Sequence, residues 1–316
     1  MQTPLQTPPI GVLVMAYGTP RSLEEVEAYY THIRRGRAPS PELLQNLIDR
    51  YQAIGGVSPL NEITRAQAEG IEERLNKSNQ GSFKVYLGMK HNAPFIADAV
   101  ADMAQDGVSH AVTLVLAPHY STMSVANYQK AANEKATELG HPDFVHVDSW
   151  HLEPKFIELL SDRVAEALKL FPSKDAVRVL FTAHSLPERI LQVGDPYPTQ
   201  LRETGDAVAA ALGLTNYSFG WQSAGRTEEK WLGPDVLDVL RELHEAGEND
   251  VVICPTGFVS DHLEVLYDVD IECQGLAKSL GMHLERTASL NADPRFLDLL
   301  SDVVLNRAKD IPGIGQ

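Results

Sequence analysis

Cysteine is nearly absent from this 316-residue chain, which carries only Cys254 and Cys273. Two distant thiols with no short spacing make neither a zinc knuckle nor an iron–sulfur cluster. They read as small buried apolar side chains of a protein kept in a reducing compartment. Positive charge is also scarce: 27 Lys and Arg stand against 43 Asp and Glu, a formal net charge of −16. Such a surface repels nucleic acid and anionic lipid, so neither is an expected partner. Long apolar runs are missing. Ala111–Ala117 falls far short of the ~20 residues that span a bilayer, so no membrane insertion is expected. Met1–Ile10 has no basic cluster ahead of an apolar stretch, so a cytoplasmic protein without a signal peptide is expected. No G-x-G-x-x-G follows an apolar run, and no G-x-x-x-x-G-K-[ST] occurs, so neither NAD nor ATP is implied. A G-x-S-x-G elbow is lacking too, which removes the usual serine-hydrolase arrangement.

What the chain has is alternation. Its apolar share is 43 %, which is that of a globular protein, and its length suits two α/β domains. Ile10–Ala16, Phe83–Leu87, Ala111–Ala117, Val177–Ala183, Tyr217–Trp221 and Val251–Cys254 read as strands covered on both faces. Helical patterns lie between them: Leu43–Ala53, Ile63–Leu75, Phe95–Met103, Val125–Leu139 ended by Gly140, Phe156–Leu170 ended by Pro172, and Asp235–Ala246 with Pro234 as a first-turn proline. Parallel, doubly wound sheets follow from that order.

One stretch echoes another. Val12–Pro20 reads V-L-x-x-A-Y-G-x-P, and Val179–Pro187 reads V-L-x-x-A-H-S-x-P. A weaker echo pairs Ala117–Ser121 with Cys254–Phe258. The expectation is two tandem Rossmann-like domains, 1–172 and 173–316, joined near Pro172–Asp175 and facing a central cleft. Ligands of open α/β sheets bind outside the carboxyl ends of the strands. Tyr17 and His184 end the first strand of each half, so they are expected to meet across the cleft, a place for a flat ligand.

Three further groups carry chemistry. If Ser260–Glu272 is helical, Glu264, Asp268 and Glu272 share one face at i, i+4 and i+8, as a divalent ion would require; the alternative is a solvated acidic face. Val265 and Leu266 beside Glu264 suggest an apolar edge that raises its pKa. Arg34, Arg35, Arg37 and Arg50 form a basic cluster able to grip carboxylates, or else an exposed solubilising patch. Beyond Gly55-Gly56, Ser58 either donates to an anion or caps the next helix. Trp221 and Trp231 bracket a small-residue loop, either stacking on a ring or lying in the core.

Taken together, these motifs resemble bacterial ferrochelatases, closest to the soluble Gram-positive type associated with coproporphyrin III. The likeness rests on Val14–Pro20, Tyr29–Arg37, Arg50–Leu60, Gly88–His91, Ala117–Ser121, Ala183–Pro187, Gly220–Ser223 and His262–Asp268, in family order. It implies a chelatase-like fold and insertion of Fe²⁺ into coproporphyrin III, with protoporphyrin IX as the alternative ring. His184 and Glu264 are the implied catalytic and iron-contacting pair, and Tyr17 the implied axial ligand from the opposite side. Arg34, Arg50, Tyr51, Ser58 and Tyr128 are implied to hold the substrate. Lys90 is implied to lie in the cleft and to contact the substrate. Asp268 and Glu272, near Arg50, are implied to form an outer site for Mg²⁺ or another divalent ion. Eukaryotic-type relatives often carry a cysteine cluster and a membrane lip; Asp310–Gln316 has neither cysteine nor a hydrophobic anchor. No iron–sulfur cluster and no organic cofactor are expected. A monomer is implied, with its last helix packing back on the first domain and transient contact with neighbouring haem-pathway enzymes. The mechanism expected is proton uptake or brief iron ligation by a His184 neutral near pH 7, assisted by Glu264. Two rivals use the same cleft: a non-catalytic porphyrin or haem carrier, and a cobalt or nickel chelatase.

Overall fold

Strong apolar alternation along Ile10–Ala16 (β1) places Val12 and Val14 on one face and Leu13 and Met15 on the other, all fully buried. A strand covered on both sides must lie mid-sheet, and β1 does. A computed structural model describes residues 9–79, 83–225 and 227–314. Most of Met1–Ile10, Gly315, Gln316 of the tail and Arg226 of the loop between the tryptophans lie outside the described residues.

In chain order the first half runs β1, α1 (Val26–Ile33), α2 (Pro41–Ala53), α3 (Leu60–Asn79), β2 (Phe83–Met89), α4 (Ile96–Gln105), β3 (His110–Val115), α5 (Val125–Leu139), β4 (Asp143–His146) and α6 (Pro154–Leu168). The second half runs β5 (Arg178–His184), α7 (Tyr197–Leu212), β6 (Tyr217–Gln222), α8 (Val236–Glu245), β7 (Asp250–Cys254), α9 (Leu263–Leu266), α10 (Gln274–Leu280), β8 (His283–Arg286) and α11 (Pro294–Ala308). Every strand pair is parallel, and the orders are β2-β1-β3-β4 and β6-β5-β7-β8. The two sheets thus repeat one topology, as the echo predicts.

The halves share a core. Val12, Val14, Val112 and Leu114 of the first sheet cluster with Val179, Phe181, Val252 and Cys254 of the second. Between them lie Phe156, Leu160 and Val164 of α6 and Phe296, Leu300 and Val304 of α11. Each such side chain, fully buried, stabilises by roughly 1.5–3 kcal/mol. Helix α11 rests on α3 so closely that a Cβ on Gly70 would collide with Leu297 Cδ1. Ion pairs border this seam: Arg163–Asp293 at 2.6 Å and Arg74–Asp298 at 2.5 Å.

Two local readings are corrected. Pro234 is not a first-turn proline: Asp235 is the N-cap of α8, accepting from the Leu237 amide at 2.9 Å, and Pro234 precedes it. The acidic segment is not one regular helix either. After the single turn of α9, Asp268–Cys273 widens into a π-turn before α10, so the i, i+4, i+8 spacing does not hold. No helix among the described residues is long and apolar enough to cross a membrane.

Candidate functional site

His184 is the last residue of β5, at the point where the chain order reverses, with β6 on one side and β7 on the other. Its Nδ1 faces the Ser185 carbonyl, and its Nε2 lies 3.5 Å from Glu264 Oε1. Both side chains are about a third exposed, 32 % and 31 %. His262 completes a line, its Nε2 3.6 Å from Glu264 Oε2 and its Nδ1 2.9 Å from the Ser260 carbonyl. With Nδ1 of His184 donating to a carbonyl, a neutral ring would aim the Nε2 lone pair at a carboxylate, an unfavourable arrangement that protonation relieves.

The electrostatics reverse two expectations. Burial alone would keep His184 neutral, but the charge and hydrogen bond of Glu264, then the Ser185 carbonyl and Asp268, raise it to about 9. His184 is therefore cationic near pH 7, not neutral. Burial alone would raise Glu264, as its apolar neighbours suggest. The adjoining His184 and His262 outweigh it and hold the carboxyl below the ordinary carboxylate range. The site rests as an ion pair.

Asp268 stands behind this pair. Its carboxylate receives Arg50 Nη2 and Ser223 Oγ, and the Arg50 guanidinium lies 4.4 Å from the centre of the Tyr267 ring. Burial raises Asp268 to about 6 against the pull of Arg50. Glu272 points into solvent. Among the described residues no three His, Cys, Asp or Glu side chains converge as a metal cage. The donor set at Asp268 and Glu272 thus does not fit a divalent ion as it stands, because Arg50 already neutralises Asp268.

The facing wall comes from the first half. Tyr17 follows β1 on a turn that needs glycine next, Gly18 having φ +82°. The ring is 41 % exposed and tilts on His91 at 4.6 Å. Its surroundings and the charge of Glu264 raise the phenol above its ordinary range, so Tyr17 is neutral. Burial raises Tyr29, Tyr51 and Tyr128 as well, and Glu264 adds to each rise, which places its charge within reach of the whole wall. Burial, then Lys90 and His32, depress His91 to about 3. Its Nδ1 lies 2.9 Å from Nδ1 of His32.

The remaining expected residues separate. Arg34, half-buried, lies over the Tyr30 ring at 5.8 Å. Lys90 lies over the Tyr128 ring at 5.0 Å, and burial and Arg35 lower its pKa. Tyr51 is 2 % exposed with its hydroxyl 3.0 Å from Thr19 Oγ1, so it stands behind the wall. Ser58 takes the capping alternative: its Oγ accepts from the Leu60 amide at 3.3 Å at the head of α3. Trp221 is a core residue, whereas the half-buried Trp231 comes within 6.3 Å of the His184 ring. Sequence reasoning missed His262 and His91 as site residues. Both stood in quoted motifs, one of them two residues before Glu264, and a search for histidines flanking the acidic group would have found the first.

Comparison with known proteins gives one answer. A sequence model of the ferrochelatase family matches residues 9–308. The coproporphyrin III ferrochelatase of Halalkalibacterium halodurans is 53 % identical over 297 residues, covering 93 % of this chain and 96 % of that protein. That of Bacillus subtilis is 50 % identical over 302 residues, covering 94 % and 97 %. Among solved structures, the cobalt complex of the sirohydrochlorin chelatase SirB from Bacillus subtilis subspecies spizizenii matches with a TM-score of 0.57 at 10 % identity, covering 97 % and 98 %. CbiX, the terminal enzyme of siroheme biosynthesis in denitrifying bacteria, matches with a TM-score of 0.56 at 13 % identity, covering 94 % and 98 %. At such identities the structural likeness speaks for the fold alone.

Proposed function

The chain belongs to the ferrochelatase family, and from that premise we propose that it inserts Fe²⁺ into coproporphyrin III. It is an enzyme, a metal chelatase of the lyase class, with Fe²⁺ as substrate. The reaction replaces two pyrrole N–H protons by iron and releases both protons, giving Fe-coproporphyrin for haem synthesis. The tetrapyrrole is inferred from relatives 50–53 % identical over almost the whole chain.

One observation carries the mechanism: the 3.5 Å pair of His184 and Glu264 at the cleft surface, opposite a wall of neutral phenols. A resting ion pair is a poor base, since the imidazolium has no free lone pair and a carboxylate whose carboxyl is held so acidic is itself only weakly basic. Fe²⁺ approaching the pair changes that balance. Its double charge disfavours the imidazolium, whose proton leaves by way of Glu264 and His262 toward solvent. Nε2 of His184 then holds a lone pair that ligates iron briefly or accepts a pyrrole proton. Tyr17, being neutral, would face the other side of the ring without competing for that proton and would act as axial ligand. Arg34 and Lys90, with Arg35 beside Lys90, are cations available to the propionates, while Arg50 is bound to Asp268, Tyr51 stands behind the wall, Ser58 caps α3 and Tyr128 lies beneath Lys90. Residues 1–172 and 173–316 act as the two domains. By family likeness the enzyme is a cytoplasmic monomer with transient pathway contacts.

The test is anaerobic Fe²⁺ insertion with coproporphyrin III and protoporphyrin IX in parallel, followed by porphyrin absorption. Faster turnover of coproporphyrin III is expected. A protoporphyrin preference would move the substrate, and binding of both without turnover would make the chain a carrier.

A further inference from the structure

Glu264 sits on α9, the first turn of a helical stretch whose regular ladder is interrupted only a few residues on by the π-turn at Asp268–Cys273. On the reading above, in which Glu264 acts with His184, we propose that Gln222 is the positioning residue that fixes their separation. Gln222 ends β6 and is the register partner of His184. Its carbonyl accepts from the Ser185 amide at 2.7 Å, which fixes the chain just past His184. Its side chain reaches the other way, Nε2 donating to the Glu264 carbonyl at 2.8 Å. The same amide is oriented from its far end, where Thr182 Oγ1 donates to Oε1 at 2.8 Å. Since a carbonyl only accepts, the amide has one orientation. Gln222 and Thr182 are both 0 % exposed, so water does not compete for these bonds. One residue therefore holds the backbone at both members of the pair, the main chain on one side and the side chain on the other.

Gln222→Met keeps the volume and removes the donor. The expected result is a kcat roughly tenfold lower, with the porphyrin KM and Kd unchanged within about twofold, because displacement by a fraction of an ångström costs rate and not binding. In a Glu264→Gln background the same substitution is expected to alter the residual rate by less than about twofold, since the group it positions is already disabled. An equal loss in both backgrounds would overturn the positioning role and leave that of Glu264 standing. Full activity of Glu264→Gln alone would overturn both. Thr182→Val keeps the glutamine but frees its amide, and serves if Gln222→Met does not fold. It is expected to lower kcat about threefold, again only where Glu264 is present, and an unchanged kcat there would equally overturn the proposal.

Discussion

The first strand of each half ends in the same kind of turn, A-Y-G-x-P after β1 and A-H-S-x-P after β5, in sheets of the same strand order. What stands at the turn differs in kind. Beside the cations Arg34 and Lys90, the first half presents groups kept neutral near pH 7: Tyr17, Tyr29, Tyr51 and Tyr128 pushed above their ordinary range, and His91 pushed below it. The second half presents charge, in the cationic His184 and the anionic Glu264. Burial acts on both, but only the second half supplies partners of opposite sign strong enough to overcome it. A duplicated scaffold has thus divided its labour. On the proposed function, one copy offers an aromatic surface for a flat ring, and the other holds the groups that change protonation.

That division makes unequal demands on the two halves. On the proposed mechanism His184→Ala removes the lone pair that would meet iron, and insertion is expected to fall by ~10²–10⁴-fold, measured by anaerobic turnover. Porphyrin binding, measured by absorption titration, is expected to stay within about threefold. Glu264→Gln comes next, at ~10²-fold. It also tests the charge assignment: without the carboxylate, His184 is expected to drop from about 9 toward ordinary imidazole, read by NMR of the ring protons. Tyr17→Phe removes only a neutral hydroxyl, so kcat is expected to change by less than ~10-fold. A loss as large as that of His184→Ala would break the comparison, because proton or metal chemistry would then reside in both halves.

The same contrast shows what could be read without coordinates. Fully buried strands announce themselves: β1, β3, β5 and β7 carry long β-branched and Leu runs, and all are found. The edge strands β4 (Asp-Phe-Val-His) and β8 (His-Leu-Glu-Arg) were not predicted, since an edge needs no continuous apolar run. The sequence singles out His184 and Tyr17 through the echo and Glu264 through the acidic run, and the structure brings His184 and Glu264 to 3.5 Å. The sign of their electrostatics was not. Two apolar neighbours in sequence suggested a raised Glu264, whereas two histidines in space lower it. The π-turn was equally hidden, because Tyr-Asp-Val-Asp-Ile-Glu-Cys satisfies an α-helical pattern. The departure shows in the backbone, where the Glu272 amide donates to the Tyr267 carbonyl at 2.9 Å, an i, i+5 bond.

The smallest effect expected is on stability, and it separates the halves by pH. His184 has a folded pKa near 9 against 6.5 for an ordinary histidine. Between those values the folded chain binds more protons than the unfolded one, so stability falls as pH rises through this window. The contribution is complete below pH 6.5 and gone above pH 9. Tyr17, Tyr29, Tyr51 and Tyr128 are also raised, but from 10, so their contribution is lost only at higher pH. His91 and His119, both near 3, act in the opposite sense and only below pH 6.5. Comparing the wild type with His184→Asn cancels these other groups. The difference in unfolding free energy by urea is expected to shrink from pH 6 to pH 9 by on the order of 1 kcal/mol, since a pair about a third exposed is partly screened. A difference that stays flat across that interval, or grows, would mean that His184 is already neutral, and the second half would then be as uncharged at its turn as the first.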